Sequence, residues 1–240
     1  MSVSDYYERY WQAGQPPHEL GDQLQAVYER HIRAGDRCLD VGCGDGRKSG
    51  PWLTAHAGGY VGVDVSETAV ADARALGLDA RTIEDAAALP FEDAEFDAAV
   101  CIEVLEHLFE PQRALAEIRR VLRPGGTAIV TVPNVAYWRK RLELAFLGRW
   151  NPHGDERSVS EPWRDPHLRF FNPGSLERLV AGSGLRPVEI GGLDGAFLCD
   201  IPPMGRLRER RASRVYRRLE KLRPSLLGIG LYAVAVKPDA

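Results

Sequence analysis

Nine residues, Cys38-Leu39-Asp40-Val41-Gly42-Cys43-Gly44-Asp45-Gly46, leave this chain few ways to fold. Cys38 to Val41 can form a buried strand, three glycines follow at alternate positions, and a helical pattern opens just beyond them. That order predicts a strand, a tight turn and a helix N-terminus. Glycine accepts positive φ and lets a ligand approach the main chain, while the first helical N–H groups have no partner within the helix. Such a turn suits a nucleotide-like ligand.

A dinucleotide-binding turn spaces its glycines G-x-G-x-x-G to seat a pyrophosphate on the helix end. Here the spacing is G-x-G-x-G, and Asp40 stands two residues before the first glycine. A carboxylate aimed into the turn repels a diphosphate and attracts an ammonium or sulfonium, which points to S-adenosylmethionine, a nucleoside carrying both and no phosphate. At these residues the chain resembles the class I S-adenosylmethionine-dependent methyltransferases. The run Leu122-Arg123-Pro124-Gly125-Gly126 before an apolar strand adds to the likeness, which is firm over residues 36–136 and loose over 165–184. It implies Asp40, Gly42, Cys43, Gly44 and Gly46 as the first part of the cofactor site.

Strands alternate with helices along the rest of the chain, so the expected fold is α/β, a doubly wound, mostly parallel seven-stranded sheet. Strands are expected near 38–41, 60–63, 80–83, 95–101, 127–132, 186–190 and 229–236. In such a sheet a carboxylate ending the second strand reaches both ribose hydroxyls of an adenosine held at the first turn. Asp64, followed by Val65, falls there; the alternative is a plain cap for the helix opening at Ser66. The resemblance gives Asp85 the adenine amino group and Ala86 the ring edge. Cys101, ending the fourth strand, is expected to face the methionine part, since ligands bind outside the carboxyl ends of the strands.

Glu103-Val104-Leu105-Glu106-His107 follows at once. If a helical turn begins at Glu103, positions i, i+3 and i+4 set Glu103, Glu106 and His107 on one face, a donor set for a divalent cation such as Mg or Zn. The same E-x-x-E-H pattern with a later His before a Phe-rich turn resembles two metal-dependent branches, the ubiquinone-biosynthesis O-methyltransferases and the small-RNA terminal 2′-O-methyltransferases. That resemblance makes His167 the fourth ligand. Without a metal, His107 or His153 would take the acceptor's proton. His18, His31 and His56 are expected to be surface or packing residues.

Residues 1–34 read as two N-terminal helices, the first capped by Ser4 and carrying Tyr6, Tyr7, Tyr10 and Trp11. It either packs on the body or closes the pocket as a lid. The remainder, 35–240, reads as the methyltransferase domain. Its insertion 137–172, rich in Trp, Arg and His, is expected to roof the acceptor site. Asn172 is expected to cap a helix.

The net charge of −3 conceals an asymmetry: residues 205–224 hold nine basic and two acidic residues, net +7, leaving −10 for the rest. That basic run reads as an amphipathic helix, with contact to anionic lipid or nucleic acid as alternatives. The acidic body and the lack of interleaved aromatics beyond Tyr216 argue against nucleic acid. No apolar run is long enough to span a bilayer, and the first residues lack the apolar core of a signal peptide, so the expected location is the cytoplasm. The four cysteines show no C-x-x-C spacing and read as reduced thiols. The function expected is methyl transfer to an oxygen of a small-molecule acceptor. An RNA 2′-O-methyltransferase and a non-catalytic S-adenosylmethionine-binding protein are the alternatives, and oligomeric state is left open.

Overall fold

The computed structural model describes residues 3–14, 19–150, 166–193 and 222–239. His153, Trp163 and Arg164 of the expected roof, and the basic run as far as residue 221, lie outside the described residues, as do His18 and Cys199.

Seven strands form one sheet: β1 (Arg37–Val41), β2 (Gly59–Asp64), β3 (Ala80–Thr82), β4 (Phe96–Ile102), β5 (Leu122–Pro133), β6 (Arg186–Leu193) and β7 (Gly230–Val236). Their spatial order is β3-β2-β1-β4-β5-β7-β6; the first five run parallel and β7 is antiparallel to both neighbours. β1 sits between β2 and β4, which places the point where the winding reverses at its carboxyl end, directly before the glycine turn.

Strand alternation divides the core in two. Leu39, Val41, Ala99 and Cys101 face one layer, where α5 (Pro111–Val121) and α7 (Pro173–Gly182) bring Leu115, Ile118, Leu176 and Val180. Cys38, Tyr60, Val100 and Ile102 face the other, covered by α2 (Asp22–His31), α3 (Gly50–His56) and α4 (Glu67–Ala75) through Val27, Tyr28, Leu53 and Val70. Parallel strands buried on both faces explain why β1, β2 and β4 read as nearly continuous apolar runs.

Local chemistry sets the helix ends. Ser66 Oγ accepts the Ala69 amide at the start of α4, and Asn172 caps α7 as expected from the sequence, in a reciprocal box with Ser175. Pro187 is tolerated because β6 is an edge strand and bulges there.

Three expectations are corrected. Ser4 does not cap the first helix: α1 (Val3–Gln12) starts before it, and its hydroxyl reaches Val65 O at 3.5 Å. β5 begins at Leu122 rather than Thr127, because Gly125 N donates to Lys237 O and Lys237 N to Gly126 O, both at 2.9 Å, drawing the expected turn into the sheet. No helical turn begins at Glu103. Its φ is +58°, and a short 3-10 turn starts two residues later, at Leu105–His107. Between β5 and α7, α6 (Trp138–Leu147) packs no side chain into the core. No helix among the described residues is long and apolar enough to cross a membrane.

Candidate active site

The glycine turn is stitched to the end of β2. Gly42 N and Cys43 N both donate to Val63 O, at 2.8 and 3.0 Å, and the Asp64 carboxylate accepts Gly44 N at 2.9 Å and Ser66 N at 3.0 Å. Gly42 and Gly44 hold φ of +76° and +55°, which a side chain would resist. Any Cβ on Gly42 would collide with Val104, and one on Gly44 would lie 2.6 Å from Trp11 Cζ2. Only glycine leaves room for these two side chains against the turn. Asp40 projects beneath it, 2% exposed, and accepts the Tyr60 hydroxyl at 3.3 Å. Burial pushes its carboxyl up to about 7, against the hydrogen bond from Tyr60. Burial also raises Asp64, against its backbone donors Ser66 and Gly44.

α1 forms one wall. Its Glu8 accepts from Ser66 Oγ at 2.8 Å, Thr68 N at 3.2 Å and the Thr68 hydroxyl, all at the N-terminus of α4, where the helix dipole also favours an anion. Hydrogen bonds from the Thr68 and Ser66 side chains hold its carboxyl down at about 2. Thus pinned, the helix lays Trp11 on Gly44 and sets the Tyr7 ring edge-on to His107, with centroids 5.6 Å apart.

The opposite wall carries Glu106, His107 and His167, whose donor atoms lie within 4.8 Å of one another. His107 and His167 stack at 4.7 Å, and His107 Nε2 is 3.6 Å from Glu106 Oε1. The loop bearing His167 is held by Glu106 O, which accepts Leu168 N and Arg169 N. Glu106 is 1% exposed, and neither carboxylate oxygen has a hydrogen-bond partner among the described residues. Burial, then the charge of Glu103, pushes its pKa well up. Buried carboxylates are ordinarily hydrogen-bonded, paired or bound to metal. Glu103 stands apart from this cluster, turned by its positive φ onto the Thr131 hydroxyl, which donates to Oε1 at 2.8 Å.

These walls enclose one cavity of about 650 Å³. Of the residues singled out from sequence, Asp40, Gly42, Cys43 and Gly44 line it, as do Asp64, Val65, Asp85 and Ala86 at the neighbouring strand ends. Glu103, Glu106, His107 and His167 line its other side. Gly46 and Cys101 do not. Gly46 faces Ala73 on α4 and Leu78 beyond its end, and Cys101 points into the core while Ile102, of opposite parity, reaches the cavity. Sequence reasoning passed over Lys48, Glu8 and Thr131. Lys48 sits two residues beyond the last glycine of the turn and was open to notice, whereas the partners of Glu8 and Thr131 are far away in sequence.

The methyltransferase domain family matches residues 39–130. A ubiquinone biosynthesis O-methyltransferase of Paraburkholderia phymatum is 29% identical over 206 residues, 80% of this chain and 84% of that protein. The chain is an S-adenosylmethionine-dependent methyltransferase. A 37.1 kDa protein in transposon TN4556 of Streptomyces fradiae is 39% identical over 108 residues, 42% of this chain and 31% of that protein. Among solved structures, phosphoethanolamine N-methyltransferase 2 of Haemonchus contortus in complex with S-adenosyl-L-methionine matches all of this methyltransferase, and 60% of its own chain is covered, with a TM-score of 0.64 at 17% identity. The cavity thus joins the glycine turn, the buried Asp40 carboxyl and the carboxylates of Asp64, at the end of β2, and Asp85, beyond the end of β3.

Proposed function

We propose that this methyltransferase acts on an oxygen of a small-molecule acceptor seated before Glu106, His107 and His167. The observation that carries the reading is the buried Glu106 carboxylate, which accepts no hydrogen bond from the described residues, beside two stacked imidazoles on the same cavity as the glycine turn. Bound S-adenosylmethionine supplies an activated methyl on sulfur. What remains for the chain is to place the acceptor in line, exclude water and take a proton.

Asp40 receives the cofactor's ammonium under the glycine turn, Asp64 the ribose, and Asp85 with Ala86 the adenine. α1 closes over them: Trp11 covers Gly44, and Tyr7 shields His107 from solvent. His107 is the base. Its Nε2 faces Glu106 and its Nδ1 lies 3.3 Å from Pro166 O, an orientation that holds the ring against the cavity. Should Mg or Zn bind, Glu106, His107 and His167 would hold it, and it would lower the pKa of an acceptor hydroxyl. The similarity to the Paraburkholderia O-methyltransferase also favours oxygen.

Formation of S-adenosylhomocysteine from S-adenosylmethionine, followed across a panel of phenols, catechols and amines with and without EDTA, tests this. Turnover of hydroxyl compounds that is lost in His107→Ala is expected. Turnover of amines alone would overturn the oxygen assignment.

A further inference from the structure

Eight carboxylates line the cavity, against two permanent cations, Lys48 and Arg113. Arg113 is already paired with Glu110 at 3.0 Å. Lys48 is not: among the described residues it joins no ion pair and donates no hydrogen bond. Lys48 lines the same cavity as Asp40 of the strand before the glycine turn and Glu106 of the His cluster, and its charge favours the ionised form of both. It is partly buried. An ammonium with three donors, half removed from water and bonded to neither acid, has its hydrogen-bonding capacity left for something entering the cavity. In a lining rich in acids, it is the cation that among the described residues is left unpaired to attract a negative group on a ligand.

We infer that Lys48 is the cavity's carboxylate-binding group. The inference rests on the cofactor reading above and deepens it. With Asp40 nearby for an ammonium, Lys48 completes a pair of opposite charges matched to an amino acid zwitterion, so the first source of the carboxylate is the methionine part of the cofactor. A carboxylate on the acceptor is the second source, since Lys48 lines the same cavity as Glu106, His107 and His167. A charge-assisted hydrogen bond in a partly desolvated site is worth enough to read out in affinity.

Calorimetric titration of wild type, Lys48→Met and Lys48→Arg separates the possibilities. S-adenosylhomocysteine carries the amino acid part and 5′-methylthioadenosine lacks it. If the methionine carboxylate is the partner, Lys48→Met weakens S-adenosylhomocysteine by about ten- to a hundredfold, leaves methylthioadenosine within twofold, and Lys48→Arg restores most of the loss. The unchanged methylthioadenosine affinity also shows that the variant is folded. If the acceptor is the source, S-adenosylhomocysteine affinity stays constant, and benzoate binds the wild-type S-adenosylhomocysteine complex but not the Lys48→Met complex. Equal loss of both nucleosides, or no change with either nucleosides or benzoate, overturns the assignment alone. A wild-type protein that binds neither nucleoside overturns the cofactor reading and this assignment with it.

Discussion

Thr131 grips Glu103 at two points: its hydroxyl donates to the Glu103 carboxylate at 2.8 Å, and the Glu103 amide lies 3.1 Å from the Thr131 oxygen and 3.2 Å from its carbonyl. Glu103 holds this position in a left-handed conformation that costs a non-glycine residue about 1 kcal/mol or more. The contact keeps its carboxylate out of the group formed by Glu106, His107 and His167. Titrating Co²⁺ into chelated protein, with its visible absorption as the readout, should show a loss of about a hundredfold in Glu106→Gln and a change within about threefold in Glu103→Gln. Equal losses would return Glu103 to the ligand set.

The unpartnered Glu106 carboxylate also makes a prediction about stability. Its pKa is raised in the folded protein by burial, so the ionised form is the penalised one. Wild type therefore loses stability as pH climbs above the ordinary carboxylate value toward the raised folded value, a loss that Glu106→Gln does not share. In EDTA, urea unfolding should give a variant whose advantage grows between pH 5 and 8, by about 1–3 kcal/mol, the usual cost of an unsatisfied buried polar group. Parallel stabilities across that range would mean that the carboxylate is solvated.

Asp40 ties cofactor binding to pH. Burial holds its carboxyl at about 7, so near neutrality the free protein is partly protonated there, and an arriving ammonium favours the ionised form. Binding should expel a proton below pH 7 and none well above it. Affinity for S-adenosylhomocysteine should accordingly rise with pH up to about 7 and then level off. Calorimetry at pH 6 in buffers of different ionisation enthalpy reads the proton directly, and Asp40→Asn should abolish its release along with most of the affinity. A buffer-independent heat at pH 6 would remove Asp40 from the ammonium site.

How much of this was open to view in the sequence differs from residue to residue, and the reason is physical. The strand-to-glycine bend, Asp40 and Asp64 could be found because backbone geometry confines such residues to the carboxyl ends of adjacent strands. Cys101 was misassigned by a single position. Asp40 pairs with Val100 in register, so Ile102 shares the Asp40 face and Cys101 points the other way; no local pattern supplies that register. Glu103 was misread because helical spacing was assumed where the chain takes positive φ at a non-glycine residue, a conformation that sequence gives no reason to expect. Pairing of Glu8 with Ser66 and Thr68 is tertiary, across about sixty residues, and leaves no trace in periodicity.

That pairing gives the last prediction. Glu8 fastens α1 to the N-terminus of α4, and α1 in turn carries Tyr7 and Trp11 onto the cavity. With its carboxyl held at about 2, below the ordinary 4.5, the latch is fully formed above pH 4.5 and lets go only as pH falls through about 2. At pH 7 it is therefore closed in wild type, and Glu8→Gln should loosen it by replacing a charge-assisted acceptor with a neutral one. Trypsin cleavage after Arg9, inside α1, should quicken several-fold in the variant, and S-adenosylhomocysteine should dissociate faster from it in stopped flow. Saturating S-adenosylhomocysteine should slow the cut in both proteins, since a ligand under the helix favours the closed form. If cleavage and dissociation match wild type, the aromatic contacts of Tyr7 and Trp11 hold the helix without help from Glu8.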